Sequence, residues 1–510
     1  MLKKLAGETA LYGLSSIVGR LLNYLLVPLY TRVLLPDAYG IIAELYALSA
    51  LLMVLFTYRM ETAFFRFGTE PAQLPRAFRT ALTSLSISSG VLAGLLFLLA
   101  EPITVHLLHY APDQAIYVRL FALILLFDVL AEIPYAKLRL QGRVWRFVSV
   151  RLTGIGVNIG SNLFFLLLCP WLLRNGSPGA QAWLEGWFNP DFLVGYVFLS
   201  NVLGSGIALL MLLPEVFGKT APPPSPLDAA SPADPPRFDP TLWRKMIIYA
   251  APLILAGLAG IVNETIDREL LKIYLPGSIP ERMAQIGIYA ACYKLAMLMS
   301  LFTQAFRYAA EPFFFANARN EGAKQVYADV AKFFALAGCV AFLAVMLFID
   351  VFRYFIDQAY WDGLSVVPIL LMANLFLGLY YNLSIWYKLT DRTIYGGYIM
   401  GIGAIVTLVL NIVWIPKYGF LGSAWATFFC YLVVVLLSYA LGRKHYPVPY
   451  EVVRIAAYVL LAVVLYFGCF LLIEQSSPPP ALAYALRTFT LLFFLAIAYF
   501  GERRSLGKLV

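Results

Sequence analysis

Apolar stretches of about twenty residues recur along the whole chain with only short polar gaps between them, and an α-helix of that length crosses the hydrocarbon core of a bilayer. Of the 510 residues 61% are hydrophobic and 13% charged, against about a quarter charged in a soluble domain. That balance excludes an ordinary cytosolic enzyme. Backbone groups in lipid must be bonded internally, so the spans are helices or a closed barrel. Continuous apolar runs such as Val91 to Ala100 lack the alternation of a barrel wall. The expected fold is an all-α polytopic membrane protein with about fourteen transmembrane helices.

The start, Met1-Leu2-Lys3-Lys4, has the charge of a signal-peptide n-region, but Arg20 interrupts the segment that follows and no small-residue cleavage site appears. It reads as a retained first helix. An even number of spans puts both termini on one side. About 24 basic residues fall on one set of loops and tails, against Arg174, Arg282, Arg353 and Lys417 on the other; the richer side is the cytoplasmic one. The net charge of +9 is spread over these loops, not clustered on a soluble face, so no nucleic acid is expected.

The longest compositional break is the proline-rich stretch Lys219 to Pro240, a linker rather than a packed element. It separates an expected N-terminal six-helix bundle, residues 1–218, from a C-terminal one, 241–445, with two additional helices and a tail over 446–510. A faint likeness between Tyr12 to Gly40 and Tyr249 to Tyr289 fits two bundles in the same orientation.

Five scattered cysteines, Cys169, Cys292, Cys339, Cys430 and Cys469, form no CxxC pair and read as buried packing residues. His106 and His109 lack a third ligand, so no metal is expected. No P-loop run occurs, and no extramembrane stretch reaches the ~50 residues of a catalytic domain. No cofactor and no enzymatic activity are expected.

A charge at the bilayer centre costs a few kcal/mol, so each one needs a partner or a watery cavity. Arg20 and Lys294 fall near the middles of their helices. Either they face a lumen, or they pair with an acid such as Asp128 to hold bundles together; the lumen is the favoured reading because intramembrane ionisable groups are functional by default. Glu264, Asp267, Arg268, Glu269 and Lys272 cluster near the outer end of the seventh helix. Residues 264, 268 and 272 share one face, on which Glu264 can pair with Arg268. The alternative is that the helix ends near Glu264 and the cluster is a solvated cap. Among the loop arginines Arg59 is the one promoted to a candidate site. Asp128 and Glu264 are candidates for proton or sodium coupling, since an intramembrane carboxylate can exchange a cation for a salt bridge. The mid-span asparagines Asn158, Asn162, Asn374, Asn382 and Asn411 suit sugar hydroxyls or interhelical bonds equally. The pairs Gly156/Gly160 and Gly397/Gly401 have the small-xxx-small spacing of close helix packing.

LSSIVGRLLNYLLVPLYTRVLLPDAYG, the following FTYRMETAFFRFG, and later IDRELLKIYLP with IGIYAACYKLAMLMSLFTQAFRYAAEPFFF resemble the bacterial polysaccharide-biosynthesis flippases of the multidrug/oligosaccharidyl-lipid/polysaccharide exporter superfamily, over nearly the whole chain. The resemblance implies two six-helix bundles around a central cavity that opens alternately to each side, in a bacterial inner membrane. It implies translocation of a polyprenyl-diphosphate-linked oligosaccharide by a monomer, and a tail groove formed by the two additional helices. A buried diphosphate needs cations placed in advance. Arg20 and Lys294 would supply them, and by likeness so would Arg59, Arg268 and Lys272. The rival within the superfamily is a cation-coupled multidrug exporter, which calls for lumenal acids. A membrane glycosyltransferase or polymerase is less favoured, because the longest outer loop, about Trp171 to Pro190, is nearly uncharged.

Overall fold

A computed structural model describes residues 18–19, 21–70, 72–217, 238–318, 322–390 and 392–506. Among these residues every regular element is a helix, and twelve helices are long and apolar enough to cross a membrane. The helix Ala115–Leu140 is also long enough, at 26 residues, although it carries Arg119, Asp128, Glu132 and Lys137. Most of the expected first span lies outside the described residues. The chain is a multi-pass membrane protein. Most of the proline-rich linker also falls outside the described residues.

The described residues form two compact units: one runs to Glu269 and takes in Gly277–Ala284, and the other comprises Leu270–Pro276 and the residues from Gln285 onward. In the first, α1 (Val27–Val33), α2 (Pro36–Thr57), α3 (Met60–Gly68), α4 (Leu74–Leu98), α5 (Ala115–Leu140), α6 (Val144–Leu163), α7 (Pro178–Glu185) and α8 (Leu193–Phe217) are followed by α9 (Pro240–Tyr274) up to Glu269. Helix α5 is the hub and packs on α2, α3, α4, α6 and α8, burying Phe121, Leu125, Val129 and Ile133. Pro36 stands in the first turn of α2, where a missing N–H is harmless. Pro134 inside α5 and Pro214 inside α8 do not end their helices; surrounding helices re-satisfy such freed groups in membrane proteins.

Helices α6 and α8 approach closely at Gly154 and Gly204: a Cβ on Gly204 would stand 2.7 Å from the Gly154 carbonyl oxygen. The pairs singled out by spacing, Gly156/Gly160 and Gly397/Gly401, have no neighbour among the described residues within 4 Å of a Cβ built on them, so no helix of the described residues packs closely there. Spacing alone gives no helix phase, and the packed face of α6 is the one carrying Gly154. The segment read as an outer loop holds α7, with the exposed Trp183 on it and the exposed Trp171 and Trp187 to either side, aromatic residues of the kind found at the headgroup level.

The second unit contains α10 (Ile279–Asn317) from Gln285 onward, α11 (Ala323–Leu347), α12 (Val367–Leu383), α13 (Ile394–Tyr418), α14 (Phe420–His445), α15 (Val452–Ser476) and α16 (Pro480–Leu506). Helix α14 packs on both α12 and α13, and α11 packs on α12. The additional pair α15 and α16 docks on α11 and is pinned at both ends. At one end Lys332, whose side chain is 1% exposed, meets Glu451 at 2.6 Å and Glu502 at 3.0 Å. Arg454 Nε lies 2.9 Å from Glu502, and Tyr458 donates to Glu502 at 3.0 Å. At the other end Arg487 pairs with Asp350. All five cysteines are buried and unpaired.

Removing one partner of a buried ion pair leaves a charge stranded, at a cost of about 3–5 kcal/mol. Lys332→Ala should therefore lower the unfolding midpoint of the detergent-solubilised protein markedly. The Glu451 carboxyl is held below its ordinary value of 4.5 by hydrogen bonds from Arg454 first and Lys332 second. Stability from a carboxylate lowered in this way is present above the unfolded value and lost as pH falls through the folded one. The midpoint should fall on acidification below pH 4.5, and less steeply in Glu451→Gln.

Candidate functional site

Helices α2 and α3 are separated by a break at which two successive non-glycine residues take left-handed backbone, Tyr58 at φ 33° and Arg59 at φ 56°. Such residues cost of order 1–3 kcal/mol each and persist where the surroundings hold them. Here the Tyr58 hydroxyl lies 2.6 Å from Ser84 Oγ of α4, and Trp243 of α9 donates its ring N–H to the same Ser84 oxygen at 2.8 Å. The break turns the Arg59 side chain onto α9, where its guanidinium occupies the space that a Cβ on Gly257 would need. Gly257 stands about halfway along α9. No carboxylate among the described residues pairs with Arg59. Arg66 follows on α3 with its guanidinium 4.9 Å from the Tyr249 ring centroid, so the first half of α9 is lined by two arginines of the first unit.

Helix α9 does not end near Glu264 but continues to Tyr274, which excludes the solvated cap. Asp267 and Lys272 are buried. Arg268 donates to the Asp267 carboxylate at 2.6 Å and to the Glu264 backbone carbonyl at 2.8 Å. The expected Glu264 carboxylate pairing is thus replaced by an adjacent one, because Asp267 lies on the packed side whereas Glu264 is exposed. Arg59 touches α9 at Gly257 and Arg268 belongs to the same helix, yet positions 257 and 268 are about 16 Å apart along it. A single small anion cannot touch both at once. Lys294 is half-buried on α10 in the second unit, one residue beyond the Tyr289–Tyr293 ring pair. Arg20 lies outside the described residues.

Asp128 on α5 bonds to Ser205 of α8 and feels the charge of Arg151 on α6. One turn on, Glu132 lies close to Glu61 of α3, and Arg139 pairs with Glu61 at 2.7 Å. Glu132 escaped the sequence reading, although its spacing four residues after Asp128 is the signal that could have found it. Glu44 of α2 escaped too: it is fully buried and accepts from Tyr110, a partner 66 residues away that no spacing rule supplies. Asn162 bonds to Asn158 at 3.0 Å and accepts from Tyr30 at 3.1 Å, and Asn374 accepts from Ser300 at 2.7 Å. Asn382 and Asn411 donate to carbonyls within their own helices.

No family model and no curated protein matches the chain. Solved structures do. The lipid II flippase MurJ in an inward closed conformation superposes with a TM-score of 0.66 at 12% identity, over 96% of this chain and 99% of that one. An inward-facing multidrug resistance MATE family transporter of the MOP superfamily gives 0.61 at 14% identity, over 86% of this chain and 95% of that one. A MATE in complex with MaD3S gives 0.56 at 13% identity, over 89% and 96%. Across nearly its whole length the chain has the fold that MurJ and the MATE transporters share.

Proposed function

We propose that this protein is a flippase that carries a polyprenyl-diphosphate-linked oligosaccharide from the cytoplasmic to the outer leaflet of a bacterial inner membrane by alternating access. The observation that carries the reading is Arg59. Its guanidinium is held against a glycine midway along a membrane-length helix, by a strained backbone, with no carboxylate among the described residues paired to it. An arrangement costly in backbone energy and left without its own counter-ion suits an anion that comes and goes. Lys294, Arg268 and Lys272, with Arg20, are the further cations proposed to meet the diphosphate. The separation of Arg59 and Arg268 along α9 suits successive contacts better than one clamp. The likeness of fold to a lipid II flippase supports the same reading. One observation favours the second reading, a cation-coupled drug exporter: the acids Asp128, Glu132 and Glu61 lie close together in the first unit. Asp128 and Glu264 are proposed to couple transport to a proton or sodium ion.

In proteoliposomes carrying a fluorescent polyprenyl-diphosphate sugar, Arg59→Ala and Lys294→Ala should each slow translocation about ten- to a hundredfold, the worth of a hydrogen bond to a charged group. Wild-type rates in both variants would overturn the cationic site, and ethidium efflux without glycolipid movement would select the drug exporter. Gly257→Val should reproduce much of the Arg59→Ala defect, because its side chain fills the space the guanidinium occupies. Asp128→Asn should leave exchange at equilibrium intact while removing the response to an imposed ion gradient.

A further inference from the structure

The outer loops hold few cations, and one of them, Arg353, is built into a site. It follows the short helix Ile349–Phe352 and opens a 3-10 turn, Arg353–Phe355. Its guanidinium carbon lies 4.2 Å from the ring centroid of Trp361 and 5.4 Å from that of Tyr354. The two rings are edge to face, 5.5 Å apart. Trp361 is fixed by its own N–H, which donates to the Arg353 backbone carbonyl at 3.1 Å. Three acids lie in the same loop and none serves Arg353. Asp350 is taken by Arg487, Asp357 caps the 3-10 helix Gln358–Val366 through the Ala359 N–H at 3.0 Å, and Asp362 forms no ion pair with Arg353. Arg353 Nε is buried with no hydrogen-bond acceptor among the described residues, whereas Tyr354 beside it is 61% exposed.

Stacking on a ring satisfies the guanidinium face, and because Nε is buried it is the terminal N–H groups, neither of them a buried orphan, that are left to an oxyanion able to accept two hydrogen bonds. We propose that Arg353, packed against Trp361 and Tyr354, is a binding site for a phosphate-type oxyanion at the outer face of the second unit. Two sources share that chemistry, an anionic phospholipid headgroup and the diphosphate of a lipid-linked glycan. The site stands apart from the flippase reading, since it needs no translocation to be occupied.

The test uses the full-length protein in neutral detergent, titrated with inorganic pyrophosphate while tryptophan fluorescence is recorded. Subtracting the Trp361→Phe variant isolates the signal of the one tryptophan in contact with Arg353. A saturable change that is lost in Trp361→Phe and in Arg353→Gln is expected. Arg353→Lys, which keeps the charge but not the fork, should bind more weakly and serves as the second variant where Arg353→Gln does not fold. Adding phosphatidylglycerol to the micelles distinguishes the sources: competition assigns the site to a lipid headgroup, and pyrophosphate binding that phosphatidylglycerol leaves unchanged assigns it to a diphosphate. No Trp361-dependent response to either probe, or an unaltered response in Arg353→Gln, would overturn the site. Translocation by a protein that fails this test would sink the Arg353 site alone, and pyrophosphate binding by a protein that moves no glycolipid would sink the flippase alone.

Discussion

A peptide group that leaves water for hydrocarbon takes its hydrogen-bonding needs with it, and the helix is the way this chain meets them. The same move into lipid creates a shortage of other adhesive forces. Once lipid is the solvent, apolar faces gain little by meeting one another, so helices associate through close packing and a few polar contacts. Gly154 and Gly204 let α6 and α8 approach backbone to backbone. The Lys332, Glu451, Glu502 and Arg454 network fastens the additional helix pair to α11. Each is a local answer to the same question of what holds one helix on another when the hydrophobic effect does not.

That constraint also explains why the architecture was legible in the sequence and the sites much less so. Span length is set by the thickness of the bilayer and needs no tertiary information, so the succession of helices can be read but not always their ends: α10 runs for 39 residues, well beyond one bilayer thickness. The helix α5 is legible despite its charges because the apolar run around them is long enough. Contact partners are another matter. The glycine pairs at 156/160 and 397/401 have the right spacing on the wrong face, since periodicity names a stripe but not the neighbour it meets. Arg268 finds Asp267 rather than the Glu264 carboxylate for the same reason. Glu44 and Tyr110 join across 66 residues, a pairing that only the fold creates. Arg59 could be promoted from the sequence, but the means of its placement could not: nothing in TYRM announces two left-handed residues in succession.

Compensation separates the buried charges into two kinds. Lys332 is surrounded by acids that leave it little freedom, and Arg268 has a carboxylate on the adjacent residue. Such pairs hold structure, and removing either member strands the other. Arg59 and Arg353 are of the other kind. One lies on a bare stretch of helix backbone, the other against two neighbouring rings, and in both the stabilising contact is to a surface that carries no charge. A carboxylate in either place would neutralise the cation permanently and close it to a passing anion. Glycine and aromatic faces can hold a guanidinium in position and leave its charge unspent, which is the condition a reversible oxyanion site has to meet.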